Sequence, residues 1–179
     1  LPVFLPLLSR ELNYRNHRKI IVIDGKVGFI GGLNIGDEYL GKNPYLGFWR
    51  DTHLKIEGEA VYHLQKIFLV DWFFVTKHEV PFIRAYFPRL EYHGAQLVQI
   101  MASGPDSDWE SIMQAYFVII SSAEERIWIY TPYLVPGESV MTALKTAALS
   151  GVDVRLIIPS KPDHKTVFWA SMGNLEELL

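Results

Sequence analysis

The stretch that decides the fold of this 179-residue sequence is His17-Arg18-Lys19-Ile20-Ile21-Val22-Ile23-Asp24. Residues 19–23 are mostly apolar and β-branched, which predicts a buried strand. The Asp24-Gly25 pair that follows is a hairpin turn signal, and Val27–Ile30 is the predicted returning strand. The sequence therefore predicts a β-hairpin, with His17 and Lys19 at its entry.

Outward from this hairpin, residue periodicity predicts the remaining elements. We expect a short helix at 34–40, a strand at 51–57, a helix at 59–75 and an irregular connector at 76–95. Further strands are predicted at 96–101, 126–130 and 154–158, and further helices at 109–122 (capped by Asp108), 139–150 and 166–179. Strands that alternate with helices predict an α/β fold in which helices cover a layered sheet.

Composition is that of an ordinary globular protein, since 49% of the residues are hydrophobic and 21% are charged. The absence of cysteine excludes disulfide bonds and thiolate metal sites. A net charge of -3 argues against a nucleic-acid partner but permits a local phosphate pocket. The best candidate for a membrane span, Ile67–Val75, is interrupted by Asp71 and is too short to span a bilayer. Because it begins at Leu1 rather than Met and ends in an apolar helical pattern, the sequence is expected to be a piece of a longer chain.

The motif that carries chemistry is HxKxxxxD, formed by His17, Lys19 and Asp24. Residues 17 and 19 of a strand point to the same face, so an imidazole and an ammonium converge on one pocket. The imidazole can act as a nucleophile or carry a proton near neutral pH. The lysine supplies a positive charge for phosphate oxygens. This combination favours phosphoryl chemistry over the alternative of a strand with a basic tip.

A second group of candidate residues follows the returning strand. Gly31 and Gly32 permit close backbone approach to a ligand, and the amide of Asn34 can donate to an oxygen. Simple turn glycines and a helix cap at Asn34 are the alternatives.

The motif HxKxxxxD followed by Gly-Gly-x-Asn resembles the active-site signature of the phospholipase D superfamily. Segments 13–19, 36–41, 49–58, 103–106, 131–133 and 159–164 are similar to bacterial cardiolipin synthases, so the resemblance covers about residues 12–179. It implies a phospholipase D-like layered sheet flanked by helices, built from two pseudo-symmetric repeats that are both incomplete here. Residues 1–93 would be the C-terminal part of the first repeat, and residues 94–179 the N-terminal part of the second.

The resemblance also implies a mechanism without a metal or other cofactor. Two HKD motifs meet at one pocket, where one histidine attacks the phosphodiester to form a phosphohistidine and the other protonates the leaving alcohol. In a cardiolipin synthase, one phosphatidylglycerol is attacked, glycerol leaves, and the hydroxyl of a second phosphatidylglycerol accepts the phosphatidyl group. The implied partners are phosphatidylglycerol, other anionic phospholipid and a membrane surface. The implied location is the bacterial cytoplasmic membrane, although this sequence contains no anchor helix.

The sequence departs from the family pattern because it contains a single HKD motif. His53-Leu54-Lys55 begins a second match, but Ala60 stands where the motif requires Asp. The chain is therefore expected to hold half of a catalytic site and to be inactive alone. A missing second repeat or a homodimer partner would complete the site.

Individual roles follow from the resemblance and from position in the chain. His17 is predicted to be the nucleophile, with general acid as the alternative. Asp24 lies at a predicted hairpin turn, where a structural role is favoured over a chemical one. Asp51 is expected to orient the histidine by accepting its N–H, unless it is only a solvated charge at a strand end.

Two other functions remain open at this point. A phospholipase D-like hydrolase or nuclease would use the same phosphohistidine but pass the group to water, and the weak net charge disfavours the nuclease. A non-catalytic module that binds a lipid headgroup phosphate is the alternative from another class.

Overall fold

The structure is a computed structural model of the chain, and it describes residues 16–90, 94–104, 109–161 and 163–179. The chain divides into two compact units between Pro105 and Asp106. The repeat boundary after residue 93 stays a prediction, and the predicted cap at Asp108 lies outside the described residues.

The first unit is built on a three-stranded antiparallel sheet in the order β1-β2-β3. Its strands are β1 (Ile20–Ile23), β2 (Val27–Gly31) and β3 (His53–Glu57). The predicted hairpin between β1 and β2 is confirmed, and its turn contains two residues in the left-handed region, Asp24 with φ 53° and Gly25 with φ 64°. Asp tolerates this region better than most side chains and Gly carries no penalty there, which explains why the Asp-Gly pair turns the chain.

Helix α1 (Ala60–Thr76) packs on one face of this sheet. Its buried side chains Val61 and Leu64 form the core of the unit with Ile56 of β3. Gly28 of β2 permits this close packing, because a Cβ at that position would lie 2.7 Å from a methyl carbon of Leu64. Several partly buried apolar residues extend the core: Ile20, Val22, Ile30, Ala60 and Ile100.

The second unit contains two parallel strands and three helices. In chain order its elements are α2 (Ser111–Ser121), β4 (Arg126–Tyr130), α3 (Glu138–Leu149), β5 (Asp153–Ile157) and α4 (Lys165–Glu176). Strands β4 and β5 pair in register from Arg126 opposite Asp153 to Tyr130 opposite Ile157. The buried core of this unit lies where the strands meet α2 and α3, and it consists of Ile120, Ile127, Ala143, Leu144 and Ala147. The predicted α/β class is confirmed by these elements.

Two sequence predictions about secondary structure are wrong. Residues 34–40 do not form an α-helix; only Glu38–Leu40 forms a 3-10 turn, which ends where Gly41 adopts a φ of 69°. Residues 96–101 are not a strand, because they pair with no other strand among the described residues. Leu97 in this segment is fully exposed, and only Ile100 packs against a core.

Three aromatic side chains of α1 are too exposed to be part of a buried core. Trp72, Phe73 and Phe74 have exposed fractions of 46%, 44% and 73%. Among the helices in the described ranges, none combines the length and the apolar character that crossing a bilayer requires.

Candidate active site

Most of the predicted site residues meet at one end of the first sheet. Ile20 pairs with Ile30, and Gly31 pairs with His53, so the start of β1, the end of β2 and the start of β3 lie side by side. His17 and Lys19 precede β1 immediately. The residues that follow β2 or precede β3 at this same end are Gly32, Asn34 and Asp51.

Asp24 lies at the opposite end of the sheet from His17 and Lys19. It occupies the β1–β2 turn, five residues beyond Lys19, which corresponds to roughly 17 Å along an extended strand. Its backbone adopts the left-handed conformation, with φ 53°, within the turn that joins β1 to β2.

His17 is exposed, whereas the side chain of Lys19 is half-buried. The ammonium of Lys19 donates a hydrogen bond to the backbone oxygen of His17, with a distance of 2.7 Å between Nζ and O. This contact folds the lysine side chain back beside the histidine. A positive charge and an imidazole therefore share one small region of surface.

The two residues that flank His17 are held by helix α1. The carboxylate of Asp71 accepts from Asn16 Nδ2 at 2.7 Å and from Arg18 Nη1 at 2.7 Å. Arg18 Nη2 also donates to the backbone oxygen of Ser103 at 3.0 Å. The segment that carries the histidine is thus fixed on both sides before β1 begins.

The carboxylate of Asp51 lies against the backbone of Gly32. Its Oδ1 accepts from the backbone N–H of Thr52 at 2.7 Å, and its Oδ2 accepts from Trp49 Nε1 at 3.4 Å. A Cβ at Gly32 would lie only 2.6 Å from Oδ1, so any other residue there would displace the carboxylate. Within the described residues, no hydrogen bond joins Asp51 to the imidazole of His17.

Asn34 is tied to the same group of side chains through Tyr39. Its Nδ2 donates to the hydroxyl of Tyr39 at 2.5 Å. The ring of Tyr39 makes an edge contact with Trp49, with 4.8 Å between ring centroids. Because Trp49 also donates to Asp51, an amide and a carboxylate of the site are connected through two aromatic side chains.

His53 leans over Gly31 at the same sheet end. Its Nδ1 is buried without a hydrogen-bond partner, and a Cβ at Gly31 would clash with that nitrogen and lie 2.5 Å from the backbone oxygen of Thr52. The glycine is therefore required by the packing of the neighbouring strand. No other described residue has a buried side-chain nitrogen or oxygen left unpaired in this way.

Sequence reasoning missed Asp71, Trp49, Tyr39 and His53 as parts of this region. One signal was available for Asp71, because it is the charged residue that interrupts the apolar run Ile67–Val75. In the described ranges, no three His, Asp or Glu side chains are placed so that they could hold a metal ion.

Comparison with known proteins shows what the chain is similar to. Residues 116–179 match the family described as cardiolipin synthase, PLD-like domain. The chain is therefore similar to phospholipase D-like proteins of the cardiolipin synthase family, and the family match itself lies within its second unit.

Individual relatives show the same similarity over nearly the whole chain. The chain is 58% identical over 180 residues to a cardiolipin synthase of Geobacillus kaustophilus and 56% identical over 181 residues to cardiolipin synthase 2 of Bacillus cereus. It is 49% identical over 179 residues to a cardiolipin synthase of Staphylococcus aureus. Each alignment covers 99% of this chain but only 35% or 36% of the relative, so the chain spans about a third of their length. No solved structure matches the chain significantly.

Proposed function

We propose that this chain supplies one half of the active site of a phosphatidyltransferase, which makes cardiolipin from two phosphatidylglycerols and releases glycerol. The observation that carries the proposal is the meeting of His17, Lys19, Asn34 and Asp51 at one end of the sheet. The relatives named cardiolipin synthase, which match 99% of the chain, support the choice of reaction.

His17 is the nucleophile in this proposal. An imidazole nitrogen attacks the phosphorus of the first phosphatidylglycerol, and the bond from phosphorus to the glycerol oxygen breaks as that oxygen takes up a proton. The hydroxyl of a second phosphatidylglycerol then loses a proton and attacks the phosphohistidine. The nitrogen–phosphorus bond breaks, and the histidine is regenerated. The exposure of His17 supports a role in which a bulky lipid headgroup must reach the ring.

Lys19 and Asn34 neutralise the phosphate in this proposal. An ammonium has three N–H groups, and one of them bonds to the His17 backbone in the structure. The amide nitrogen of Asn34 has two, and one bonds to Tyr39. Each side chain is therefore already oriented and still has a donor for a phosphate oxygen, which is the preorganisation that electrostatic stabilisation requires.

Asp51 orients His17 in this proposal, and Asp24 serves the fold. The carboxylate of Asp51 is fixed by Thr52 and Trp49 at the sheet end that receives His17. A carboxylate held in this way can fix the tautomer of an imidazole and stabilise its charged form. Asp24 closes the hairpin at the far end of β1.

The second histidine of the reaction comes from outside the 179 residues in this proposal. It is contributed either by a second phospholipase D-like repeat or by a second copy of the chain, and the reaction takes place at a bacterial membrane surface. The 179-residue chain assayed as a monomer should therefore be inactive, and full phosphatidyl transfer by that monomer would contradict the proposal.

The test uses the intact gene product and phosphatidylglycerol carrying ³²P. Cardiolipin and glycerol should form, His17→Asn should abolish both, and the acid-labile label on quenched enzyme should map to His17. Label on another histidine would reject the nucleophile role. Phosphatidic acid as the main product would instead favour the hydrolase, and unaltered lipid bound by the protein would favour the non-catalytic module.

A further inference from the structure

Asp71 is a charged residue on the apolar face of helix α1. It follows the buried Leu64 by seven residues, so it lies two turns further along the same face of α1. The apolar face that covers the sheet therefore ends in a carboxylate. The exposed fractions of the Asp71 and Arg18 side chains are 26% and 32%, so the ion pair between them is partly withdrawn from water.

Every polar contact described for this carboxylate goes to a neighbour of His17. Each of its oxygens accepts one short hydrogen bond, Oδ1 from Arg18 and Oδ2 from Asn16, both at 2.7 Å. Asn16 and Arg18 are also bonded to each other, since the backbone N–H of Arg18 donates to Asn16 Oδ1 at 2.9 Å. Asp71, Asn16 and Arg18 are thus bonded to one another and hold the residues on both sides of His17. We call these three residues the Asp71 bracket.

This bracket also constrains the direction of the chain at the histidine. Asn16 and Arg18 contact α1 through Asp71, whereas the hydrogen bond described for the Lys19 ammonium goes to the backbone of His17. His17, between the two held residues, is exposed. The Asp71 bracket fixes this direction in a segment that precedes the first ladder pair of the sheet.

We propose that Asp71 is a positioning residue, which aligns His17 and Lys19 for reaction by holding Asn16 and Arg18 against α1. The inference rests on the proposed role of His17 and adds a determinant 54 positions away in the sequence. Displacement of a reacting group by about 1 Å can reduce turnover by roughly a hundredfold, even when the substrate is still bound. The loss should therefore fall on kcat and not on KM.

The experiment uses the intact gene product with Asp71→Asn. The asparagine keeps the size of the side chain and one acceptor oxygen, but its NH₂ cannot accept from Asn16. We expect kcat to fall between about tenfold and a hundredfold, with KM within about twofold of the parent. Asp71→Glu should recover part of the loss. A matched control is Glu57→Gln, which breaks the 2.7 Å ion pair with Lys55 at the far end of the sheet and should leave kcat unchanged.

A double-variant test separates positioning from general stability. If Asp71 acts through its two partners, Arg18→Gln in the Asp71→Asn background should cost little beyond the single change, whereas independent effects would multiply. Should Asp71→Asn fail to fold, Asn16→Ala and Arg18→Gln probe the same bracket from its exposed side. Wild-type kcat in all three single variants would overturn the inference.

A readout independent of turnover distinguishes this inference from the proposed function. In protein labelled with ¹⁵N-histidine, the ring signals of His17 should move in Asp71→Asn and stay in place in Glu57→Gln. Unmoved signals in Asp71→Asn would overturn the positioning role. If the signals move but His17→Asn retains full activity, the proposed catalytic role of His17 fails while the positioning contact stands.

Discussion

The carboxylate of Asp51 rests directly on the backbone of Gly32, at a distance that leaves no room for a Cβ atom. The two residues belong to different segments, one following β2 and the other preceding β3, and the backbone N–H of Gly32 donates to Thr52 O at 3.4 Å. A side chain at position 32 would displace this carboxylate, and this requirement for glycine has a testable consequence.

Gly32→Ala should reduce activity more than stability. The added methyl group would lie 2.6 Å from Oδ1 and 3.0 Å from Oδ2, and the carboxylate can swing away only by leaving its bonds to Thr52 and Trp49. Overpacking of this kind typically costs about 1–3 kcal/mol, and a movable side chain places the cost near the lower figure. Phosphatidyl transfer by the intact gene product should fall at least tenfold, while urea unfolding shows a loss of about 1 kcal/mol.

The control for this change is Gly94→Ala, because apart from its chain neighbours no described residue has an atom within 4 Å of a Cβ at Gly94, and its φ is not in the left-handed region. Equal effects of the two substitutions on turnover would show that the contact with Asp51 has no functional weight.

Asp51→Asn should lower turnover further than Trp49→Phe, which removes only the indole N–H that bonds to Asp51. An asparagine can keep the bond from the Thr52 N–H, but its own NH₂ would face the N–H of Trp49 or the site itself, and the negative charge is lost. Trp49→Phe removes the indole donor and leaves the carboxylate in place. If Asp51 orients His17, kcat should drop by at least tenfold in Asp51→Asn and by much less in Trp49→Phe. Similar kcat values for the two variants would assign Asp51 a purely structural role.

Local patterns in the sequence were sufficient to predict most of the fold. The β-branched run at 19–23 and the Asp-Gly turn predict β1 and β2 because both signals depend on neighbouring residues. The segment 96–101 is also rich in apolar residues, yet it pairs with no strand among the described residues. A strand requires a partner with exposed backbone groups, and an apolar segment alone does not reveal whether one is present.

Within the candidate site, too, residues that are close in the sequence could be identified, whereas contacts between distant residues could not. His17 and Lys19 were selected from the sequence because they belong to one short motif, although both precede β1 and do not lie on the strand. The role of Asp71 was not, since its bonds to Asn16 and Arg18 span 55 and 53 positions and depend on how α1 crosses the sheet. The sequence shows that Asp71 interrupts an apolar run, but it does not show that Asp71 contacts Asn16 and Arg18.

The pair Asp153 and Arg155 on β5 should make the stability of the second unit depend on acid pH. Arg155 Nε donates to Asp153 at 2.9 Å and Trp128 Nε1 donates at 3.1 Å, and these bonds lower the pKa of Asp153 below the ordinary value of 3.8. A carboxyl whose pKa is lower in the folded state contributes stability above its unfolded pKa, and the contribution is lost as the pH falls through the folded pKa.

The loss of stability between pH 7 and pH 3 should therefore be smaller in Asp153→Asn than in the parent chain, measured as the shift of the urea midpoint. Glu125→Gln, which breaks an exposed ion pair with Arg126 in the same unit, is the comparison. If the stability of the parent and of Asp153→Asn depends on pH in the same way, Asp153 does not make this acid-sensitive contribution to stability.

The exposed aromatic side chains of α1 should bind the chain to an anionic membrane surface. Trp72, Phe73 and Phe74 lie in the last turns of the helix, and Lys77 stands with its Nζ 4.8 Å from the centre of the Phe74 ring. Amphipathic side chains of this kind can insert their apolar parts while the ammonium stays at the headgroup level. We therefore expect the chain to float with vesicles that contain phosphatidylglycerol.

Substitutions should separate the apolar from the electrostatic part of this binding. Burial of one aromatic side chain contributes about 1.5–3 kcal/mol, so Phe74→Ser should weaken partitioning by roughly tenfold or more on both anionic and neutral vesicles. Lys77→Gln should weaken it by about fivefold on anionic vesicles alone, since one basic residue near such a surface contributes about 1 kcal/mol. Leu149→Ser, at an exposed apolar position at the end of α3, is the control and should have no effect. Equal flotation of Phe74→Ser and the parent chain would show that this aromatic surface does not contact the membrane.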